Sequence, residues 1–179
     1  MRLFLALTLS DQAKDYLYSL RTTFNPTWAK INWIAKKNLH LTLKFFGEIP
    51  ATNIPKLRTH LRTIHCSPIT TSLRDCGFFP NDIGPRVLWV SVHPDNDIFT
   101  LQKLLDQETL SYGKQEQSFT SHITLGRIKT VKNKTMLLRH AQTLHTQQIP
   151  LPFSSFSLLQ STLTKNGPRY TLLEDYPLM

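Results

Sequence analysis

Short apolar runs and amphipathic stretches alternate along the whole chain. Residues 2–9 carry Leu3, Phe4, Leu5, Leu7 and Leu9 in a run far too short to cross a membrane, and read as a buried first strand. Ser10 or Asp11 then caps a helix in which Ala13, Tyr16, Leu17 and Leu20 recur at helical spacing. A short apolar piece at 31–35 precedes a strand at 39–46, closed by Gly47 and Pro50. Helical stripes follow at 53–65, with Pro55 in the first turn, and at 97–113, where Ile98, Leu101, Leu104 and Leu105 share a face. Between them lie strands at 69–79 and 86–92, separated by the turn "NDIGP" at 81–85. A strand at 119–128, a helix at 134–145 and strands near 153–163 and 169–174, joined through "KNGP", complete the pattern. The elements interleave with short connections and no low-complexity linker, so residues 1–179 are expected to form one α+β domain.

One segment of the pattern recurs. "NLHLTLKFF" (38–46) and "TSHITLGRI" (120–128) each set a histidine two residues before a threonine inside a leucine-rich strand. H-x-T arises by chance about 0.8 times in this composition, so the weight falls on the matched strand context rather than on the count. Strand residues two apart share a face: His40 and Thr42 oppose Leu39, Leu41, Leu43 and Phe45, and His122 and Thr124 oppose Ile123 and Leu125. If the two strands lie side by side in facing lobes, two imidazoles and two hydroxyls converge on one cleft. Such a set suits phosphoryl chemistry. One neutral imidazole takes a proton, the other, protonated, gives one, and the hydroxyls donate to phosphate oxygens. The sequence does not decide which histidine plays which role; the working assignment makes His122 the base and His40 the acid. Strict alternation also puts Lys44 on the His40 face, as added positive charge for the groove. It puts Arg127 opposite His122, from where it reaches the cleft only through a twist or bulge that Gly126 permits.

Charge narrows the partner. Lys plus Arg number 21 against 12 acidic residues, a formal net charge of +9 that favours an anionic partner. The cations are dispersed, which suits a basic cleft or face rather than a basic arm. Cys66 and Cys76 stand in neither metal nor redox spacing and read as reduced thiols. With no leader pattern and no long apolar run, the cytoplasm is the expected compartment. No glycine-rich phosphate loop or H-E-x-x-H occurs and the carboxylates are scattered, so neither cofactor nor metal is expected. Trp28, Trp33 and Trp89 are assigned to packing; Phe119 and Tyr170 are either core residues or platforms for an RNA base.

"NLHLTLKFFGEI" and "SHITLGRI" resemble the two H-x-T-x motifs of the 2H phosphoesterase superfamily, and more closely its RNA 2′,3′-cyclic phosphodiesterase (2′-5′ RNA ligase) branch. "MRLFLAL", "GPRVLWVSV" and "STLTKNGPRYTLL" extend the resemblance over the chain. It implies a single bilobal α+β domain over residues 1–179, two interleaved lobes with one motif in each, whose two pseudo-symmetric antiparallel sheets, flanked by helices, surround a basic groove. It also implies metal-independent opening of a 2′,3′-cyclic phosphate at an RNA end to a 2′-phosphomonoester. Carried over, His40 and His122 are catalytic, while Thr42, Thr124 and Arg127 hold phosphate. The branch commonly has Pro and Ala where this chain has Ser121 and Gly126. Three other readings stay open: ligation of RNA ends at the same site, a phosphodiesterase of a small cyclic nucleotide or ADP-ribose-type cyclic phosphate, and a basic RNA-binding module whose histidines are structural. A monomer is expected.

Overall fold

A computed structural model describes residues 1–115, 118–165 and 167–179. In chain order the elements are β1 (Arg2–Thr8), α1 (Asp11–Ser19), β2 (Ala29–Trp33), β3 (His40–Glu48), α2 (Ile54–Leu61), β4 (Ile69–Phe79) and β5 (Val87–His93). There follow α3 (Asn96–Glu108), β6 (His122–Val131), α4 (Lys134–Thr143), β7 (Pro150–Phe153), β8 (Ser155–Thr164) and β9 (Gly167–Pro177). Ser10 caps α1 by accepting from the Ala13 amide, and Asn133 caps α4 by accepting from that of Met136.

Three elements differ from their sequence pattern. β7 carries Pro150 and Pro152, which argue against a strand; it forms at the sheet edge against β4, where a missing ladder donor is tolerated. The helical stripe at 97–113 gives up its α-helix at Glu108 and ends in a tighter turn over Leu110–Tyr112. The second histidine strand begins at His122 itself, not at 119. The β8–β9 hairpin closes through the "KNGP" segment, of which Asn166 lies outside the described residues.

All strand pairings are antiparallel, in the order β7-β4-β5-β6-β3-β1-β8-β9, with β2 pairing the Gly126–Val131 stretch of β6 on the side away from β5. Among the described residues the two halves of this curled sheet meet at a single pair, Leu41 of β3 opposite Ile123 of β6, both fully buried. The halves are also interleaved. The strand after α2, β4, pairs with β5, and the strand late in the second half, β8, returns to pair with β1. Thus β1-α1-β3-α2-β4 and β5-α3-β6-α4-β8 trace the same path, each sending its last strand into the other half. α3 packs on β3, Leu17 of α1 lies near Leu125 of β6, and α4 packs on β4. Arg58 of α2 and Arg62, the residue that ends it, both bind Glu174 of β9. One continuous core fills the space under both halves. Because Leu41, Leu43, Ile123 and Leu125 are buried in it, the histidine and threonine side chains are turned into the groove between the halves. Among the described residues no helix is long and apolar enough to cross a membrane.

Candidate active site

Each histidine is held in the same way. His40 Nδ1 lies 2.7 Å from the Asn38 carbonyl oxygen, and His122 Nδ1 lies 2.7 Å from that of Thr120. A carbonyl only accepts, so Nδ1 carries the hydrogen in both rings and Nε2 is left for proton transfer. The Thr42 hydroxyl, 2.9 Å from His40 Nε2, donates to it. Asn38 is itself pinned, its side-chain amide donating to the Pro168 carbonyl of β9 at 2.8 Å. Ahead of His122, the buried Ser121 hydroxyl donates to an Asp95 carboxylate oxygen at 2.7 Å. The backbone that orients each imidazole is thereby tied to a neighbouring element.

A β-bulge in each histidine strand decides what stands beyond the threonine. Between β1 and β3 the register skips Leu43, pairing Ala6 with Thr42 and Leu5 with Lys44. Between β5 and β6 it skips Leu125, pairing Trp89 with Thr124 and Leu88 with Gly126. An extra residue reverses the alternation past that point. Arg127 is therefore exposed on the histidine side, where it lines one cleft with His40, Thr42, His122, Thr124 and Tyr170. The same shift overturns the placement of Lys44. Instead of facing the groove it turns under the sheet, fully buried, with its ammonium 2.5 Å from the Asp106 carboxylate of α3. Phe45, assigned by alternation to the core side, is 60% exposed and takes the groove position equivalent to Arg127.

Gly126 is required for space rather than for an unusual φ. A Cβ there would meet Ile31 Cγ2 at 2.5 Å and the Asn32 carbonyl at 3.3 Å, because β2 pairs with β6 at this point, Trp33 standing opposite Gly126. Gly126→Val is expected to displace β2 and Arg127 together, with a stability loss of about 1–3 kcal/mol. Thermal unfolding and kcat/KM read both effects; an unchanged melting temperature contradicts the packing account.

The groove has two ends. One holds Tyr170, whose ring sits edge-on to His40 at 5.3 Å between centroids and to Phe4 at 4.9 Å. The other is a cavity of about 210 Å³ lined by Thr42, Phe45, Phe79, Phe119 and His122. Phe119 stands edge-on to Phe99 at 5.3 Å, and Phe79 edge-on to His122 at 4.8 Å. Phe79 is 43 residues from His122, and no periodicity in the sequence links them. Trp89, besides packing, lies 5.1 Å from the Phe79 ring.

Burial pushes His40 below the ordinary imidazole value near 6.5; the bond to Asn38 opposes this, and the charges of His122 and Lys14 add to it. Burial lowers His122 as well, opposed by its bond to Thr120. Tyr170 is raised by burial, with Arg127 and Arg2 pulling the other way, so its hydroxyl stays protonated at neutral pH. Among the described residues no three His, Cys, Asp or Glu side chains cluster as metal ligands do.

Two imidazoles, two hydroxyls and a guanidinium line one groove, and comparison with known proteins assigns the family. The model of the LigT-like phosphoesterases matches the chain twice, over residues 7–89 and 90–170, one match for each histidine strand. The chain belongs to the LigT-like phosphoesterase family. It is similar to the RNA 2′,3′-cyclic phosphodiesterase of Methanothermobacter thermautotrophicus, with 31% identity and 99% of each chain covered. The protein of that name from Escherichia coli is 28% identical, with 99% of this chain and 96% of that one covered. Among solved structures, TT0787 of Thermus thermophilus superposes with a TM-score of 0.81 at 26% identity, covering 99% of this chain and 98% of the other. E. coli LigT complexed with phosphate superposes at 0.77 and 26% identity, covering 99% and 96%. The α+β fold expected from the resemblance is thus the fold observed.

Proposed function

We propose that the chain opens 2′,3′-cyclic phosphates at RNA ends to 2′-phosphomonoesters by two-histidine acid–base catalysis without a metal. One observation carries this reading: both imidazoles have Nδ1 fixed to a carbonyl two residues upstream, so both Nε2 atoms serve one groove. The family relatives named for this activity along their full length support the substrate class. One imidazole accepts a proton from the attacking water as its oxygen bonds to phosphorus. The other donates a proton to the departing O3′ as the P–O3′ bond breaks. The Thr42 and Thr124 hydroxyls and Arg127 stabilise the non-bridging oxygens, where negative charge accumulates. Tyr170 bounds the groove beside His40.

The pH–rate profile on a nucleoside 2′,3′-cyclic phosphate tests the proposal. The active form has one proton on the pair, which exists between two macroscopic pKa values that belong to the pair. Both imidazoles are shifted down, so the neutral pair is favoured as pH rises and the doubly protonated pair needs a lower pH than usual. kcat/KM is therefore expected to trace a bell with its maximum on the acid side of 6.5. A bound anionic substrate favours protonation, so the kcat profile lies at higher pH than that of kcat/KM. A flat profile from about pH 5 to 9 would sink the two-imidazole mechanism.

A further inference from the structure

The two ends of the groove differ in charge. At the aromatic end the lining residues among those described are Leu43, aromatic rings and hydroxyl residues, with one lysine, Lys44, whose ammonium is buried under the sheet and paired with Asp106. At the other end Arg127 opens onto the outer part of β6, where Lys129 follows two residues on and is likewise exposed. Beside it runs the connection from β4 to β5, whose Arg86 carbonyl accepts the Ile128 amide at 2.8 Å. Arg86 and Lys129, with Lys134 at the start of α4 and the exposed Ile83, line a cavity of about 240 Å³. The Lys134 ammonium donates to the neutral Ile83 carbonyl at 2.9 Å, so its charge is not compensated. Among the described residues, Arg86, Arg127, Lys129 and Lys134 make no ion pair. The segments 81–87 and 126–134 contain one carboxylate, Asp82, against five cations, which leaves this exit strongly positive.

We propose that the surface from Arg127 through Lys129 to Arg86 and Lys134 carries the phosphodiester backbone of a single-stranded RNA whose cyclic end lies between His40 and His122. The inference rests on the phosphodiesterase reading of the site and adds to it the direction in which the strand leaves. A chain of anionic phosphates follows the cationic exit, and a cavity with an apolar wall at Ile83 beside the cations suits a ribose or base between phosphates. Among the described residues that line the aromatic end, the one cation, Lys44, is already paired with Asp106.

The double variant Lys129→Glu/Lys134→Glu tests it, since both side chains are exposed and neither touches the histidines. At low salt its kcat/KM on an RNA of roughly ten nucleotides ending in a 2′,3′-cyclic phosphate is expected to fall about tenfold or more. On a nucleoside 2′,3′-cyclic phosphate it changes less than about twofold. The slope of log kcat/KM against log salt for the oligomer becomes shallower by about 0.7 for each phosphate that the variant no longer neutralises. An equal loss on both substrates, or no loss on the oligomer, overturns the proposal. Anisotropy of a fluorescein-labelled RNA reads the same surface without turnover: weakened binding by the variant is expected and unchanged affinity overturns it, as does wild-type binding to phosphatidylserine vesicles in preference to RNA. If the wild type turns over neither substrate, the reading of the active site fails, while the affinity difference still decides the surface.

Discussion

Replacing His40 or His122 by alanine is expected to lower kcat/KM on a 2′,3′-cyclic phosphate by about 10²–10⁴-fold in either case. Each ring supplies one proton transfer, and a water in its place lacks both the pKa and the fixed Nε2 position that the carbonyls of Asn38 and Thr120 impose. The two losses are not additive. Once one partner is gone, the other has no complementary transfer to make, so the double variant is expected to be little worse than either single one. Both side chains face the groove rather than the core, so the melting temperature is expected to move little. A variant that unfolds does not test the chemistry; one that folds and keeps wild-type turnover contradicts it.

Asp106→Ala is expected to give the largest loss of stability of any single polar substitution near the groove. Its carboxylate and the Lys44 ammonium are both shielded from water, with side-chain exposures of 6% and 0%. Removing one partner strands a buried charge, which costs about 3–5 kcal/mol, or about 6–20 °C in melting temperature for a chain of this size. The pair ties α3 to β3 at the bulge that also turns Phe45 into the groove, so activity should fall with stability. Replacing both partners, as Lys44→Met/Asp106→Leu, removes both charges and is expected to recover most of the loss. Differential scanning calorimetry of the three variants separates these outcomes; a double variant as unstable as Asp106→Ala contradicts the account.

These two expectations draw on different depths of the sequence. His40, Thr42, His122 and Thr124 were legible because period-two alternation holds over each strand up to the threonine, with leucines marking the buried side. Beyond it the alternation fails, since one extra residue at Leu43 and at Leu125 exchanges the faces. Bulges are set by cross-strand register, which local pattern does not contain. The same physical event misplaced Lys44 and brought Arg127 to the groove. Asn38 and Thr120 act through backbone carbonyls, which have no residue-type signature, and Phe79 arrives from a strand two positions away in the sheet. The helices were readable from their apolar stripes. The interleaving of the halves came with the family resemblance and not from the pattern, which does not say which half of the sheet β4 and β8 join.

The most direct test is the position of the product phosphate. Wild-type protein is incubated in EDTA with an RNA oligomer ending in a 2′,3′-cyclic phosphate, alongside His40→Ala and His122→Ala. The account predicts a 2′-phosphomonoester from the wild type and almost none from either variant. A 3′-phosphomonoester, loss of turnover in EDTA, or wild-type turnover by a folded histidine variant would contradict it.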